Sequence, residues 1–162
     1  MIEIERKFRV CGDFKSHARA AIRITQGYIS SGPGATVRVR IMGDQGFLTI
    51  KGKTSASGMS RFEWEKEIDV DEARMLLALC RKNIDKTRYL VDVGSHVFEV
   101  DEFHGENQGL VIAEVELKSE DEQFERPDWL GKEVTGERRY YNSQLLLSPF
   151  RSWPPACEEN TL

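Results

Sequence analysis

Residues 35–53 read Ala35-Thr36-Val37-Arg38-Val39-Arg40-Ile41-Met42-Gly43-Asp44-Gln45-Gly46-Phe47-Leu48-Thr49-Ile50-Lys51-Gly52-Lys53. Thr36, Arg38 and Arg40 fall on one face of an extended chain, against Val37, Val39 and Ile41 on the other. After the Gly43-Asp44-Gln45-Gly46 turn, Thr49, Lys51 and Lys53 oppose Leu48 and Ile50 in the same way. Period-two alternation marks strands whose two faces meet different surroundings, and the glycine-flanked turn joins the two as a hairpin. The polar face is charged rather than mixed. Arg38 and Arg40 repel each other at this spacing unless an anion lies between them.

The same pattern continues in both directions. Residues 2–9, 25–30, 60–69, 85–93, 96–103 and 110–118 alternate likewise, which with 35–42 and 46–53 makes eight strands. Their polar faces carry Glu3, Glu5 and Lys7; Gln26, Tyr28 and Ser30; Arg61, Glu63, Glu65 and Glu67; Lys86 and Arg88; Glu99 and Asp101; and Glu114, Glu116 and Lys118. Arg6 interrupts the apolar side of the first strand. Helical spacing is expected over 13–21, 71–82, 120–125 and 138–147. In the second of these, acids lead and bases trail, which suits the helix dipole, and Met75, Leu76, Leu79 and Cys80 would form the apolar stripe. In the last, Tyr141, Leu145 and Leu146 share a side.

A single half-buried strand shows polar residues to water as a matter of course. Eight strands that repeat charge at i and i+2, with Glu3/Glu5, Arg38/Arg40 and Glu114/Glu116 as like pairs, need counter-charges. The arrangement that satisfies both faces is α+β: an eight-stranded antiparallel closed β-barrel with helices packed outside and a hydrated, charged interior. Such a barrel is wide enough for one small ligand. A dry one could not hold these ions, since unpaired buried charge costs several kcal/mol per ion.

Composition sets limits on this reading. The chain has 162 residues, long enough for one domain with a real core. Residues 1–150 are expected to form that domain and 151–162 a flexible tail. A net charge of −4 argues against a duplex nucleic-acid binder. The three cysteines, Cys11, Cys80 and Cys157, form no CxxC pair and read as reduced thiols. With no signal peptide and no apolar run long enough to span a bilayer, no membrane partner is expected and the protein reads as cytoplasmic. His17, His96 and His104 have no metal-ligand spacing, and no Walker loop occurs.

Glu3-Ile4-Glu5-Arg6-Lys7 resembles the ExExK opening of the CYTH, or triphosphate tunnel metalloenzyme, family. The rest agrees in order: Gln26-Gly27-Tyr28-Ile29, Thr36-Val37-Arg38-Val39-Arg40, Leu48-Thr49-Ile50-Lys51-Gly52-Lys53, Arg61-Phe62-Glu63-Trp64-Glu65, Lys86-Thr87-Arg88-Tyr89, Glu99-Val100-Asp101 and Ala113-Glu114-Val115-Glu116. Trp129 to Thr135 and Arg139 to Asn142 resemble the family's C-terminal lid region. The resemblance covers roughly residues 2–147, and the lack of an appended domain makes the short bacterial tripolyphosphatases the nearest in kind.

What this implies is metal-dependent hydrolysis of inorganic triphosphate to pyrophosphate and phosphate. Class IV adenylyl cyclase, thiamine triphosphatase and a non-catalytic polyphosphate or nucleotide sensor are the alternatives. Lys7, Arg38, Arg40, Lys51, Lys53, Lys86 and Arg88 would cradle the triphosphate. Glu3, Glu5, Glu114 and Glu116, with Asp101 in addition, would hold Mg²⁺ or Mn²⁺. Glu5, Glu63, Glu65 and Tyr28 are the catalytic candidates; Glu63 and Glu65 either hold the attacking water or orient the bases. Lys132 and Arg138 read as solvated surface residues. Family members often pair, so a homodimer is one expectation, although no apolar patch in the sequence decides it.

Overall fold

The structure is a computed structural model and describes residues 1–155. The chain order is β1 (Ile2–Val10), β2 (Ala18–Ser31), β3 (Ala35–Met42), β4 (Gln45–Gly52), β5 (Ser60–Ile68), α1 (Val70–Leu79), β6 (Ile84–Val93), β7 (His96–Phe103), β8 (Val111–Glu116), β9 (Leu130–Glu133) and α2 (Asn142–Leu145), with short 3₁₀ turns between. The strands pair in the order β5-β4-β3-β2-β6-β7-β8-β1-β9, all antiparallel in their registers. The barrel closes where β1 returns to β5, with Ile2 opposite Phe62 and Glu3 opposite Arg61. Eight strands therefore form the closed barrel expected from the alternation.

The ninth strand was not expected. β9 pairs with the second half of β1, Phe8 opposite Glu133, on the edge that β5 leaves free. Arg6, the interruption in the apolar face, explains why it docks there. Its guanidinium donates twice to Glu133, at 2.7 and 2.6 Å, and lies over the Phe124 ring.

The hairpin between β3 and β4 is as read: Met42 faces Gln45 across a two-residue turn, with Gly43 at φ +63°. Gly46 serves a different purpose. A Cβ there would stand 2.8 Å from the Ala73 Cβ, so glycine lets α1 close onto the sheet.

Three helical expectations are corrected. Residues 13–21 form only a 3₁₀ turn at Lys15–His17, and from Ala18 the chain is already β2. The alternation Arg19, Ile22 and Ile24 wins there because β6 offers partners, with Arg19 bonded to Asp92 and Arg23 to Asp85. Residues 120–125 are a turn followed by irregular chain. Residues 138–147 break into a 3₁₀ turn at Arg138–Tyr140 and the one-turn α2. Tyr140 and Leu145 pack together against the barrel, while Tyr141 turns into the tunnel.

α1 forms close to where expected. Asp69 caps it, its carboxylate accepting the Asp71 N–H at 2.8 Å, an interaction worth about 1 kcal/mol. The stripe differs. Ala73, Leu76, Leu77 and Cys80 face the sheet, while Met75 and Leu79 are 65% and 74% exposed.

Helices cover less of the outside than expected. Over β1 and β6–β8 the cover is the irregular chain carrying Phe14, Phe124 and Trp129. Beyond Leu145, Phe150 and Trp153 dock on Tyr140, so the expected tail is anchored through Trp153; residues 156–162 of it, and Cys157, lie outside the described residues. Trp64 is 42% exposed, on the same face of β5 as Phe62, which lies opposite Ile2. Among the described residues no helix is long and apolar enough to cross a membrane.

Candidate active site

Alternation sends every second side chain of the barrel strands inward, and the inward set is charged. Lys7, Arg38, Lys51, Lys86 and Arg88 meet Glu5, Glu114 and Tyr28 around a cavity of about 460 Å³, counting the space open at its mouth. Arg61, Thr36, Tyr141, Asn142 and Ser143 complete its wall. A second section of about 670 Å³ is lined by Glu3, Glu63, Glu65, Glu99, Glu116 and Arg40. The two sections share Glu5, Arg38, Lys51, Arg88 and Glu114, so they are halves of one tunnel.

The halves differ in sign. The first holds six bases against two carboxylates, and the second four bases against seven. A small polyanion therefore belongs in the first half. Two observations point the same way. The buried Nε atoms of Arg38 and Arg40 have no hydrogen-bond partner, and burial, helped by Arg38 and Arg88, brings Arg40 down to about 10. Burial likewise brings Lys86 down to about 8. Arg38 shares Glu65 with Arg40, and Lys86 shares Asp101 with Arg88, so an anionic ligand in the first half would add counter-charge.

The carboxylates sort into two groups. Those of the first group fix bases. Asp101 takes Arg88 in a fork, at 2.8 and 2.9 Å, and Lys86 at 2.7 Å. Glu65 accepts from Thr49 at 2.7 Å and meets Arg38 and Arg40 at 3.4 and 3.3 Å. Glu63 meets Lys51 at 3.1 Å, and Glu3 meets Lys51 and Arg61 at 3.2 and 3.5 Å. Burial would raise Asp101, but Arg88 and Lys86 outweigh it and hold the carboxyl below its ordinary range.

The second group is crowded by its own charge. Burial, then Glu114 and Glu3, push Glu5 up to about 8. Glu114 is held well below the ordinary range, because Lys7, Arg88 and Lys86 outweigh its burial and Glu5 hydrogen-bonds to it. Burial, with Glu99 and Glu63, raises Glu116. Among the described residues no three carboxylate, imidazole or thiol groups converge into a ready-made metal shell. Mg²⁺ does not require one, since it takes one or two carboxylates and fills the rest with waters and phosphate oxygens. The Glu5–Glu114 pair, hydrogen-bonded to each other with Glu5 pushed up by burial and by Glu114, fits that pattern: a divalent cation there would relieve the crowding.

Two expected site residues stand apart from the tunnel interior. Lys53 lies beyond the end of β4, exposed, at a mouth bounded by Gly32, Pro33, Gly34 and Arg138. Asp101 lies behind Lys86 and Arg88 with 1% exposure, so it lines neither half. The physical reason for the second is that Asp101 has two cations as immediate partners, which leave no oxygen facing the tunnel.

Several lining residues were not read as site residues. Arg61 shares the inward face with Glu63 and Glu65, and its spacing was the available signal. Tyr141 and Asn142 come from a segment without strand period, and their signal was the resemblance of Arg139 to Asn142 to the family's lid region. Lys7 Nζ lies over the Tyr141 ring, 5.2 Å from its centroid, and Asn142 accepts from Lys86 at 2.9 Å. Tyr28 is aimed by an irregularity in β2. It pairs with Arg38, yet Ser30 already pairs with Val37, so Ile29 is an extra residue beside it.

A closed antiparallel barrel with such a wall defines a class of tunnel proteins that take a small polyanion among lysines and arginines. The CYTH domain profile matches residues 1–144, and the chain belongs to the CYTH family. It is 49% identical over 154 residues to the inorganic triphosphatase of Acetivibrio thermocellus, covering 93% of this chain and 97% of that protein. The inorganic triphosphatase of Nitrosomonas europaea is 39% identical over 153 residues, covering 91% and 99%. A crystal structure of an inorganic triphosphatase superposes with a TM-score of 0.65 at 34% identity, over 90% of this chain and 94% of that one.

Proposed function

We propose that the protein hydrolyses inorganic triphosphate to pyrophosphate and phosphate with the help of a divalent cation, Mg²⁺ or Mn²⁺. The observation that carries the reading is the split tunnel: six bases lining one half, and a crowded carboxylate pair, Glu5 and Glu114, where that half joins the acid-rich one. The names borne by the Acetivibrio and Nitrosomonas relatives, at 49% and 39% identity, support it.

Phosphoryl transfer asks mainly for positioning and charge stabilisation. Lys7, Arg38, Lys51, Arg61, Lys86 and Arg88 bind the triphosphate, with the arginines forking to phosphate oxygens. Arg40 reaches in from the acid-rich half, where Glu65 holds it. Glu63 and Glu65 orient the bases that touch them, and Asp101 does the same for Lys86 and Arg88. Glu5 and Glu114, with Glu116 nearby, would hold the cation, and the chemistry it would supply there is neutralisation of charge on the phosphate oxygens. Water attacks the terminal phosphorus, the P–O bond to pyrophosphate breaks, and a carboxylate of the acid-rich half accepts the proton.

The test is phosphate release from tripolyphosphate, ATP and thiamine triphosphate with Mg²⁺ or Mn²⁺. Tripolyphosphate should turn over much faster than the others. Cyclic AMP from ATP, or tight binding of tripolyphosphate without release, would overturn the assignment.

A further inference from the structure

Two amides beside the tunnel, the buried Gln26 and the half-buried Asn142, have no part in the scheme above. Gln26, on β2, is fully buried, and Asn142 opens α2. Asn142 Oδ1 accepts from Lys86 Nζ at 2.9 Å and from Gln26 Nε2 at 3.2 Å. The same Gln26 Nε2 reaches the Tyr28 hydroxyl at 3.0 Å.

The direction of these bonds follows from chemistry. An ammonium has only hydrogens to offer, so Asn142 must turn its oxygen, not its NH₂, to Lys86. Facing that oxygen, Gln26 must present its NH₂. One of the two hydrogens goes to Asn142 and the other to the Tyr28 oxygen. The hydroxyl thereby accepts from Gln26, and its own hydrogen is left to point elsewhere. Tyr28 lines the basic half of the tunnel, so that hydrogen is available to a ligand there. Turned the other way, Gln26 would take the Tyr28 hydrogen and leave oxygen lone pairs facing a phosphate. In this orientation Gln26 Oε1 is left buried without a partner.

We infer that Lys86, Asn142 and Gln26 form a polarity relay that sets the Tyr28 hydroxyl as a hydrogen-bond donor to a phosphoryl oxygen. Gln26 and Asn142 are then positioning residues that act through Tyr28. The inference rests on the triphosphate reading of the tunnel. It also gives the C-terminal segment a task in the site, since docking of Tyr140 and Leu145 is what carries Asn142 to Lys86.

A double-mutant cycle with tripolyphosphate and Mg²⁺ tests the relay, with melting curves to verify folding. Gln26→Glu introduces a group that can only accept, which captures the Tyr28 hydrogen. It and Tyr28→Phe should each lower kcat/KM on the order of tenfold, mainly through KM, the loss of one hydrogen bond to a charged ligand. The double variant should be no worse than the worse single, because both remove the same hydrogen. Additive losses, as repulsion by a new carboxylate would give, overturn the relay, and so does a Gln26→Glu enzyme with unchanged kinetics. If Gln26→Glu does not fold, Asn142→Ala, at a half-buried position, takes its place in the same cycle. A wild type that binds tripolyphosphate without hydrolysing it sinks the triphosphatase reading instead; the cycle then runs on the calorimetric Kd and judges the relay separately.

Discussion

Asp101→Asn separates two roles that sequence alone leaves merged, metal ligand and anchor of the basic wall. Asp101 is 1% exposed and neutralises Lys86, 2% exposed, and Arg88, 9% exposed. Removing one partner of a buried ion pair costs about 3–5 kcal/mol, because the other charge stays buried and unpaired. Glu99 also pairs with Arg88, which places the loss near the low end, about 3 kcal/mol. For a chain of this size that lowers Tm by roughly 6–12 °C. Melts in EDTA, with and without tripolyphosphate, provide the assay. The ligand should raise the Tm of the variant more than that of the wild type, since it supplies charge to the same two cations. An unchanged Tm refutes the anchor role. A gap that widens when tripolyphosphate is added with Mg²⁺ in place of EDTA would instead put Asp101 in contact with the metal.

Glu5→Gln should cut turnover by on the order of 100-fold or more, yet leave Tm in EDTA unchanged or higher, since it relieves crowding by Glu114 and Glu3. A clear drop in Tm would show that Glu5 is a structural residue. Arg61→Ala should raise KM about tenfold with kcat little altered, the loss of one charge-assisted contact; steady-state kinetics decide it. The Arg6–Glu133 fork holds β9 to β1, and the bonds from Arg6 keep Glu133 below the ordinary carboxylate range. A depressed carboxyl adds stability above its unfolded pKa and loses it as pH falls through the folded value. Glu133→Gln should therefore cost about 1 kcal/mol at pH 7 and nothing in strong acid. A deficit that persists at low pH would refute the charge-based account.

The strand faces were legible from local chemistry. A side chain's face depends only on odd or even position, so Arg38, Lys51, Lys86, Glu5 and Glu114 could be placed together before any strand was paired. The closed barrel followed because so much like charge needs a wet interior. Spacing could not say which charge meets which. The partners of Asp101 come from β6, those of Glu65 from β3 and β4, and those of Glu3 from β4 and β5, so register decides them. That pairing buries Asp101 behind Lys86 and Arg88 and places Lys53 outside the tunnel. Ala18 to Ala21, read as the end of a helix, are strand because β6 supplies partners. Asn142 and Tyr141 reach the site because Tyr140 and Leu145 pack on the barrel, and the helical spacing read over 138–147 did not say where that segment would dock. Local sequence determined the charge on each face, because that is a property of neighbouring residues. The tertiary structure alone decided how the charges pair and which remain for a ligand, because those depend on contacts between residues distant in the chain.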